Sequence, residues 1–453
     1  MITRNQINQT LQKLYDDSVN HLVLLGGSDR SEKEAFIKRF CQDKKCFYYR
    51  GHHASGREQL SRFISQVEKT YDIRLQKNTY DECLNRIKSG DSSKLVVVID
   101  ELPLMQRSDP GFFSSVIKLK KHQLYPGPVL IIVTASSLAY MDGDAHELPD
   151  DGYALFDEVL TLPDYNFLEV VRALPGSTMT DALCVYAVTG GVASYMSHWN
   201  RKRSVKDNII SLILSPHGAL FSEAERYIGS ELRELSVYET ILSCMAGGCE
   251  KLNDIYQATG YPRAKISVYL KNLAAFDVIE KVVSFTSGGW ENTKKGIYRI
   301  RDSYVDFWFR FVYPHQSELF WLSPEEFYDR YIEGELHAYL ARIFERVCSE
   351  YIELLSSVEK TPIRVTSMGT WIGKEGTIDI VGADEDRRTV VGVCHWEPEP
   401  AGVSGYEQLL ADLRLARLSP ESMYFFSGSG FTDEFKSLSA SEKNINLIDL
   451  EEL

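Results

Sequence analysis

The chain has 453 residues, a formal net charge of −14, 44% hydrophobic and 25% charged residues. Those values suit a globular protein of two to four domains with sizeable cores. No apolar run approaches the roughly 20 residues that cross a bilayer, and Met1–Asp17 lacks a charged-then-apolar leader. A cytoplasmic protein with no membrane partner is expected. The acidic balance argues against nucleic acid covering the whole surface but leaves room for one basic face. Eight cysteines form no CxxC pair. Cys41 with Cys46 and Cys244 with Cys249 lack a second ligand pair that would complete a zinc site, so buried reduced thiols are expected.

In chain order, His21–Leu25 reads as a short buried strand running into Gly26-Gly27. Glu32–Phe40 has helical spacing, with Phe36, Ile37 and Phe40 on one side. Cys46–Arg50 predicts a strand and Gln59–Tyr71 a helix. Leu95–Ile99 and Val129–Val133 are continuous β-branched runs, the first ending in Asp100-Glu101 and the second in Thr134–Ser137. Buried strands separated by helices predict a parallel sheet covered on both faces, with ligands at the carboxyl ends of its strands.

From about Asn166 to Asp207 the chain reads helical, broken at Thr189-Gly190-Gly191. Val237–Met245, Lys251–Thr259 and Arg263–Phe276 predict three helices. Val278–Phe285 and Gly296–Ile300 then predict two strands joined by the loop Ser287–Lys295, and together these make a winged helix-turn-helix. The aromatic run Phe307-Trp308-Phe309-Arg310-Phe311 reads as a buried plug between domains. A long helix follows at Glu335–Leu355, then strands at Thr377–Val381 and Thr389–His395. A helix at Tyr406–Ala416 and short strands at Met423–Phe426 and Ile445–Asp449 complete a second, smaller α/β unit.

The stretch Gly27–Glu34 lies where a phosphate-binding loop belongs, between the first strand and helix. Starting the motif at Gly27 puts Lys33 in the lysine position, Glu32 in the second glycine position and Glu34 in the Ser/Thr position. Starting it at Gly26 gives the lysine position to Glu32. The first register also places Phe36, Ile37 and Phe40 on the sheet-facing side. A carboxylate among phosphate-facing amides repels the ligand, by roughly 4 kcal/mol for a charge pair at ~4 Å and an effective dielectric of ~20. Against that loss stands Asp100-Glu101 at a strand end: an Asp to hold Mg²⁺ through water and a Glu, Glu101, to polarise the attacking water. ATP and Mg²⁺ are the expected cofactors, with Lys33 and Asp100 as their ligands.

These segments, in this order, resemble prokaryotic archaeal-type AAA+ ATPases of the STAND group, which carry a winged helix and a C-terminal domain similar to PD-(D/E)xK nucleases. The resemblance spans nearly the whole chain. It rests on Gly27–Lys33, Val97-Val98-Ile99-Asp100-Glu101, Thr134–Ser137 in the sensor position and Gly190-Gly191-Val192-Ala193. It continues through Tyr298–Asp302 leading to Phe307-Trp308-Phe309, and Thr377-Ile378-Asp379-Ile380. It implies an α/β multidomain fold. Residues 1–165 form a P-loop AAA+-like core, 166–232 a helical lid, 233–302 the winged helix, 303–334 an aromatic connector and 335–453 a degenerate, restriction-endonuclease-like α/β domain. It also implies Gly27, Ser136, Gly190 and Gly191 as nucleotide contacts.

Two departures bear on activity. The family's Gly-Gly pair is followed by a proline bordering the adenine, where this chain has Ala193 in the same segment. The family's nuclease-like part pairs an Ile-Asp strand with a Glu-x-Lys strand inside Gly-Glu-Cys-Lys-Trp; here that strand is Gly392-Val393-Cys394-His395-Trp396. With Val393 for the Glu and His395 for the Lys, Asp379 and Glu345 remain as remnants of a Mg²⁺ site, and nuclease activity is not expected. DNA is the candidate partner of the winged helix: Arg263, Lys265 and Lys271 on its third helix could meet phosphates, with Ser267 or Tyr269 at base edges and Lys294 and Lys295 at the wing tip.

Overall fold

The computed structural model describes residues 3–87, 90–91, 93–121, 127–136, 140–141, 145, 148, 153–285 and 296–453. Its contacts divide the chain into two units, Ile2–Asp164 and Tyr165–Leu453. The second unit holds the helical segment, the three-helix module, the aromatic run and the C-terminal sheet together.

The first unit is built on five parallel strands: β1 (His21–Gly26), β2 (Cys46–Arg50), β3 (Leu95–Asp100), β4 (Val129–Ala135) and β5 (Glu158–Thr161). Their order across the sheet is β2-β3-β4-β1-β5. Every residue of β1 and β3 is buried, and the period of two explains why. Leu22 and Leu24 of β1, Val97 and Ile99 of β3, and Ile131 and Val133 of β4 join one core with Phe63, Phe112 and Phe113. The alternate residues Val23, Leu25, Val96, Val98, Leu130 and Ile132 join the opposite core with Ile7, Leu11, Ile37 and Phe40. A strand buried on both sides has no polar face to show, which is why these runs are continuously apolar. Each such side chain contributes roughly 1.5–3 kcal/mol of transfer free energy. A sheet of this order, with a glycine-rich loop and helix after its first strand, is a P-loop ATPase-like α/β fold.

In the second unit the helices Leu235–Ala246, Leu252–Thr259 and Arg263–Ala275 precede an antiparallel hairpin of β6 (Ile279–Val283) and β7 (Gly296–Ile300). The aromatic run winds from the helix Ser303–Phe307 into the wider turn Trp308–Val312. Phe307, Trp308, Phe309 and Phe311 are all buried in the unit's core, and Phe307 and Phe311 meet Tyr339 of the 25-residue helix Glu333–Ser357 edge-on.

A separate mixed sheet closes the chain: β8 (Ser367–Ile372), β9 (Thr377–Ala383), β10 (Thr389–His395), β11 (Ser422–Ser427) and β12 (Ile445–Asp449), in the order β12-β11-β10-β9-β8. The hairpin is tied to its edge. Phe285 N–H donates to Thr370 O at 2.9 Å, and Ser284 Oγ accepts from Ile372 N at 2.8 Å and donates to Ile372 O at 3.1 Å. Phe285 is buried in the core of that sheet, beside Ile378 and Val381.

The cysteines correct one expectation. All eight are free thiols, but only Cys83, Cys184 and Cys348 are buried, and Cys46 is exposed. Cys46 opens β2, where alternation turns its side chain outward.

Candidate functional site

The loop after β1 is shaped by crowding. A Cβ on Gly26 would lie 2.7 Å from Met141 Cε, and one on Gly27 would lie 2.8 Å from Ser31 Oγ. The chain then makes a short turn, Asp29–Ser31, and enters the helix Lys33–Phe40 through Glu32 at φ 53°, ψ 42°. That left-handed basin is free to glycine and costs other residues roughly 1–2 kcal/mol. The backbone therefore keeps the conformation of a glycine position while the side chain is a carboxylate. Arg4, at the start of the first helix, braces the loop from behind: its Nη2 donates to Ser31 O and its Nε to Pro163 O, both at 2.8 Å.

Lys33 is buried, and its ammonium donates to Gly27 O at 2.6 Å, Ser28 O at 3.2 Å and Ser136 Oγ at 2.8 Å. An ammonium has three protons, enough for one bond to each of these acceptors. The first two close the loop into a ring, and the third ties it to the end of β4. Ser136 Oγ in turn donates to Glu101 Oε1. The loop lysine and the strand-end glutamate are thus joined through one hydroxyl.

Asp100 is buried and doubly engaged. Its Oδ1 accepts from Thr134 Oγ1 at 2.6 Å and its Oδ2 from Tyr48 OH at 2.8 Å, with Arg50 Nε 3.7 Å from Oδ2. Burial first, and then the Asp100 carboxylate, pushes the Tyr48 phenol above its usual range, so it stays a donor. Thr134 Oγ1 also accepts from Glu101 N–H at 3.0 Å, so one hydroxyl ties the Asp100 carboxylate to the Glu101 backbone. Glu101 is left-handed too, at φ 62°. Glu34, in the position where a hydroxyl would reach Mg²⁺, lies 3.6 Å from Arg50 instead. Tyr48, Arg50 and Arg4 have no motif to announce them. Tyr48 and Arg50 arrive through strand order, because β2 lies beside β3 with Arg50 opposite Asp100, and Arg4 comes from the first helix.

Gly190 and Gly191 belong to the second unit. Gly190 ends the helix Met179–Thr189 at φ 63°. A Cβ on Gly191 would lie 1.9 Å from Tyr165 O, whose own N–H donates to Gly191 O at 2.8 Å. Both glycines therefore have a local backbone reason for being glycine.

On the C-terminal sheet, Asp379 Oδ2 accepts from Cys394 N at 2.9 Å, and burial raises its pKa. Glu345, on the long helix, is pushed up to about 7 by burial and then by Asp379. Arg299 of β7 approaches from the hairpin, with Nη1 3.9 Å from Glu345 Oε2 and Nε 3.1 Å from Glu250 Oε1. A guanidinium thus faces the acidic pair. His395 Nε2 is 2.7 Å from Glu399 O, a structural bond that assigns the ring proton to Nε2. Among the described residues, no three His, Cys, Asp or Glu side chains gather as metal ligands.

Glu345 sets a pH dependence. Unfolded it ionises near 4.5, but folded it keeps its proton to about 7. Between those values the folded state binds more protons, so stability falls as pH rises and levels off above about 7. Glu345→Gln is expected to flatten that decline in melts taken across the interval. An unchanged slope would remove Glu345 as its source.

On the helix Arg263–Ala275, Arg263 is exposed, donates to Asn253 Oδ1 and lies 4.9 Å from the Tyr256 ring centroid. Lys265 is 3.7 Å from Glu234 Oε2, and Tyr269 OH donates to the same carboxylate. Lys271 is exposed. Lys294, Lys295 and the loop that carries them lie outside the described residues.

Residues 308–403 match the family DUF234, described as archaeal and bacterial proteins of unknown function. The chain is 22% identical over 398 residues to an uncharacterized protein of Methanocaldococcus jannaschii, covering 87% of each. Among solved structures it is similar to the Walker-type ATPase of Pyrococcus abyssi, with a TM-score of 0.48 and 14% identity over 68% of this chain and 96% of that one. It is similar also to the ORC2 protein of Aeropyrum pernix in its ADPNP–ADP complexes, with a TM-score of 0.45 and 12% identity over 70% and 95%. The RuvB Holliday junction branch migration motor of Thermotoga maritima gives a TM-score of 0.32 and 14% identity over 62% and 90%.

Proposed function

We propose that the first unit is a nucleotide-operated switch of the AAA+/STAND kind, whose ATP site has kept its grip and lost most of its turnover. The reading rests on one observation: Lys33 Nζ spans Gly27 O, Ser28 O and Ser136 Oγ, and Ser136 holds Glu101. Lys33 and the loop amides would hold the phosphates of ATP, and Asp100 would hold Mg²⁺ through water; the nucleotide supplies the polyanion. To donate to a phosphate oxygen, Lys33 must release one of these acceptors. Ser136 is the one it can release without opening the loop. Ser136 then keeps only Glu101, and the strand ends β3 and β4 lose their tie to the loop. That exchange is local, two-state and readable at a distance.

Glu34, in the Ser/Thr position, faces Arg50, which disfavours turnover, and Glu32 at the loop–helix junction weakens binding. The responding parts are, on this reading, a winged helix and a PD-(D/E)xK-like domain without nuclease chemistry. Val393 cannot ligate a metal, and Arg299 faces the remaining carboxylates. DNA contact by the winged helix has weaker support, because Arg263 and Lys265 are already engaged by Asn253 and Glu234. A scaffold that binds no nucleotide is the second reading, favoured by the same Glu32.

Melting with and without Mg-ATP separates the two. Binding to the folded state raises stability by about 2.7 kcal/mol at a hundredfold excess over Kd. Lys33→Ala is expected to abolish the shift. Glu32→Gly is expected to enlarge it, by removing a like charge worth up to roughly 4 kcal/mol at ~4 Å. No shift in either the natural chain or Glu32→Gly would select the scaffold.

A further inference from the structure

Two exposed faces of the second unit are complementary in charge. The first is the short helix Gln316–Trp321, where Phe320 is 80% and Trp321 82% exposed, their rings packed edge-to-face at 5.1 Å. Together they present on the order of 300 Å² of aromatic surface to water, in the range where exposed patches on soluble proteins are functional. The surroundings are acidic. Six carboxylates stand between residues 316 and 336 against the one cation Arg330; Lys206 pairs with Asp329 and Glu333 and Arg310 with Glu335, which leaves Glu318, Glu325 and Glu326 outside those ion pairs. Gln316 donates to Glu225, which lies close enough to Glu239 to raise its pKa further after burial.

The second face is the outer side of the helix Arg263–Ala275. Val268 is 56% exposed there, flanked by the small exposed residues Ala264 and Ala275 and by Arg263 and Lys271. That helix carries three cations and no carboxylate. Its centre is apolar and its rim carries Arg263 and Lys271, while Lys265 lies 3.7 Å from Glu234.

We infer that the aromatic pair of one copy docks on the helix Arg263–Ala275 of a second copy, head to tail. Charge decides the occupant. An acidic aromatic patch repels nucleic acid and anionic lipid. It repels its own image as well, which rules out a two-fold contact of this face with itself. The helix face offers it an apolar contact at Val268 and Ala264, with Arg263 and Lys271 at the rim to meet its carboxylates. A head-to-tail contact uses different patches on each copy, so it propagates into a ring or an open chain rather than stopping at a dimer. The inference does not depend on nucleotide binding.

Sedimentation of the full chain tests it. Concentration-dependent association at low salt that weakens at high salt is expected. Trp321→Ala is expected to weaken association about 30-fold, as an aromatic anchor does. Val268→Glu with Lys271→Glu is expected to abolish it. The decisive step is mixing the two variants. Each has lost one face and kept the other, so the mixture should form a one-to-one pair and stop there. Circular dichroism checks that both variants are folded. Three results would overturn the inference: a chain that stays monomeric at low salt, a mixture that stays monomeric, or association indifferent to both variants. A monomer whose duplex DNA binding is lost with Lys271→Glu would assign the helix face to DNA instead.

Discussion

Replacing Trp308 by alanine is expected to cost the second unit about 3–5 kcal/mol, the range for emptying a buried indole site. Trp308 is 1% exposed and packs against Phe309 at 5.0 Å and Tyr313 at 5.5 Å. Its Nε1 is buried and has no acceptor among the described residues. A buried donor left unbonded costs ~1–3 kcal/mol, so the indole stabilises the fold by its volume and weakens it by its N–H. Trp308→Phe removes the donor and keeps most of the ring, and is expected to cost under about 2 kcal/mol. A chain of this size does not unfold in two states, so segment-resolved hydrogen exchange over residues 165–453 is the measurement. Equal losses in the two variants would show that the indole N–H has a partner after all.

Phe63→Ala is expected to cost the first unit a similar 3–5 kcal/mol. Phe63 is fully buried at the hub of an aromatic cluster, with Tyr49 at 4.6 Å, Tyr80 at 5.4 Å, Phe47 at 5.9 Å and Phe112 at 6.1 Å. Each pair adds roughly 0.5–1.5 kcal/mol beyond burial, though the pairs share one ring and do not sum. Two of the partners lie on β2, the strand that brings Tyr48 and Arg50 to Asp100. Exchange protection should therefore fall first over Cys46–Arg50 and Gly56–Tyr71. Loss confined to β1 would contradict this route.

The parallel sheet was legible because strands buried on both faces leave an unmistakable residue pattern, as in Leu95–Ile99. Strand β5 was not, because in Glu158–Thr161 only Leu160 is buried. Strand β8 escaped for a related reason: Ser367–Ile372 is mostly half-buried and interrupted by Gly369. Lys33 was legible from its distance to Gly27. Its bonds to Ser136, and those of Asp100 to Tyr48 and Thr134, depend on which strands are neighbours, and strand order is not written in any one segment. Glu32 was read as a charge in the wrong place. The structure adds that its backbone lies in the left-handed basin, which glycine enters without strain.

The bonds from Ser284 and Phe285 to the edge of β8 bear on how a signal could travel. Turning the three-helix module against the last sheet would have to draw a phenylalanine out of a hydrophobic interior and sever three anchoring links at once. Separating the hairpin from that sheet therefore costs the burial of Phe285 as well as three hydrogen bonds.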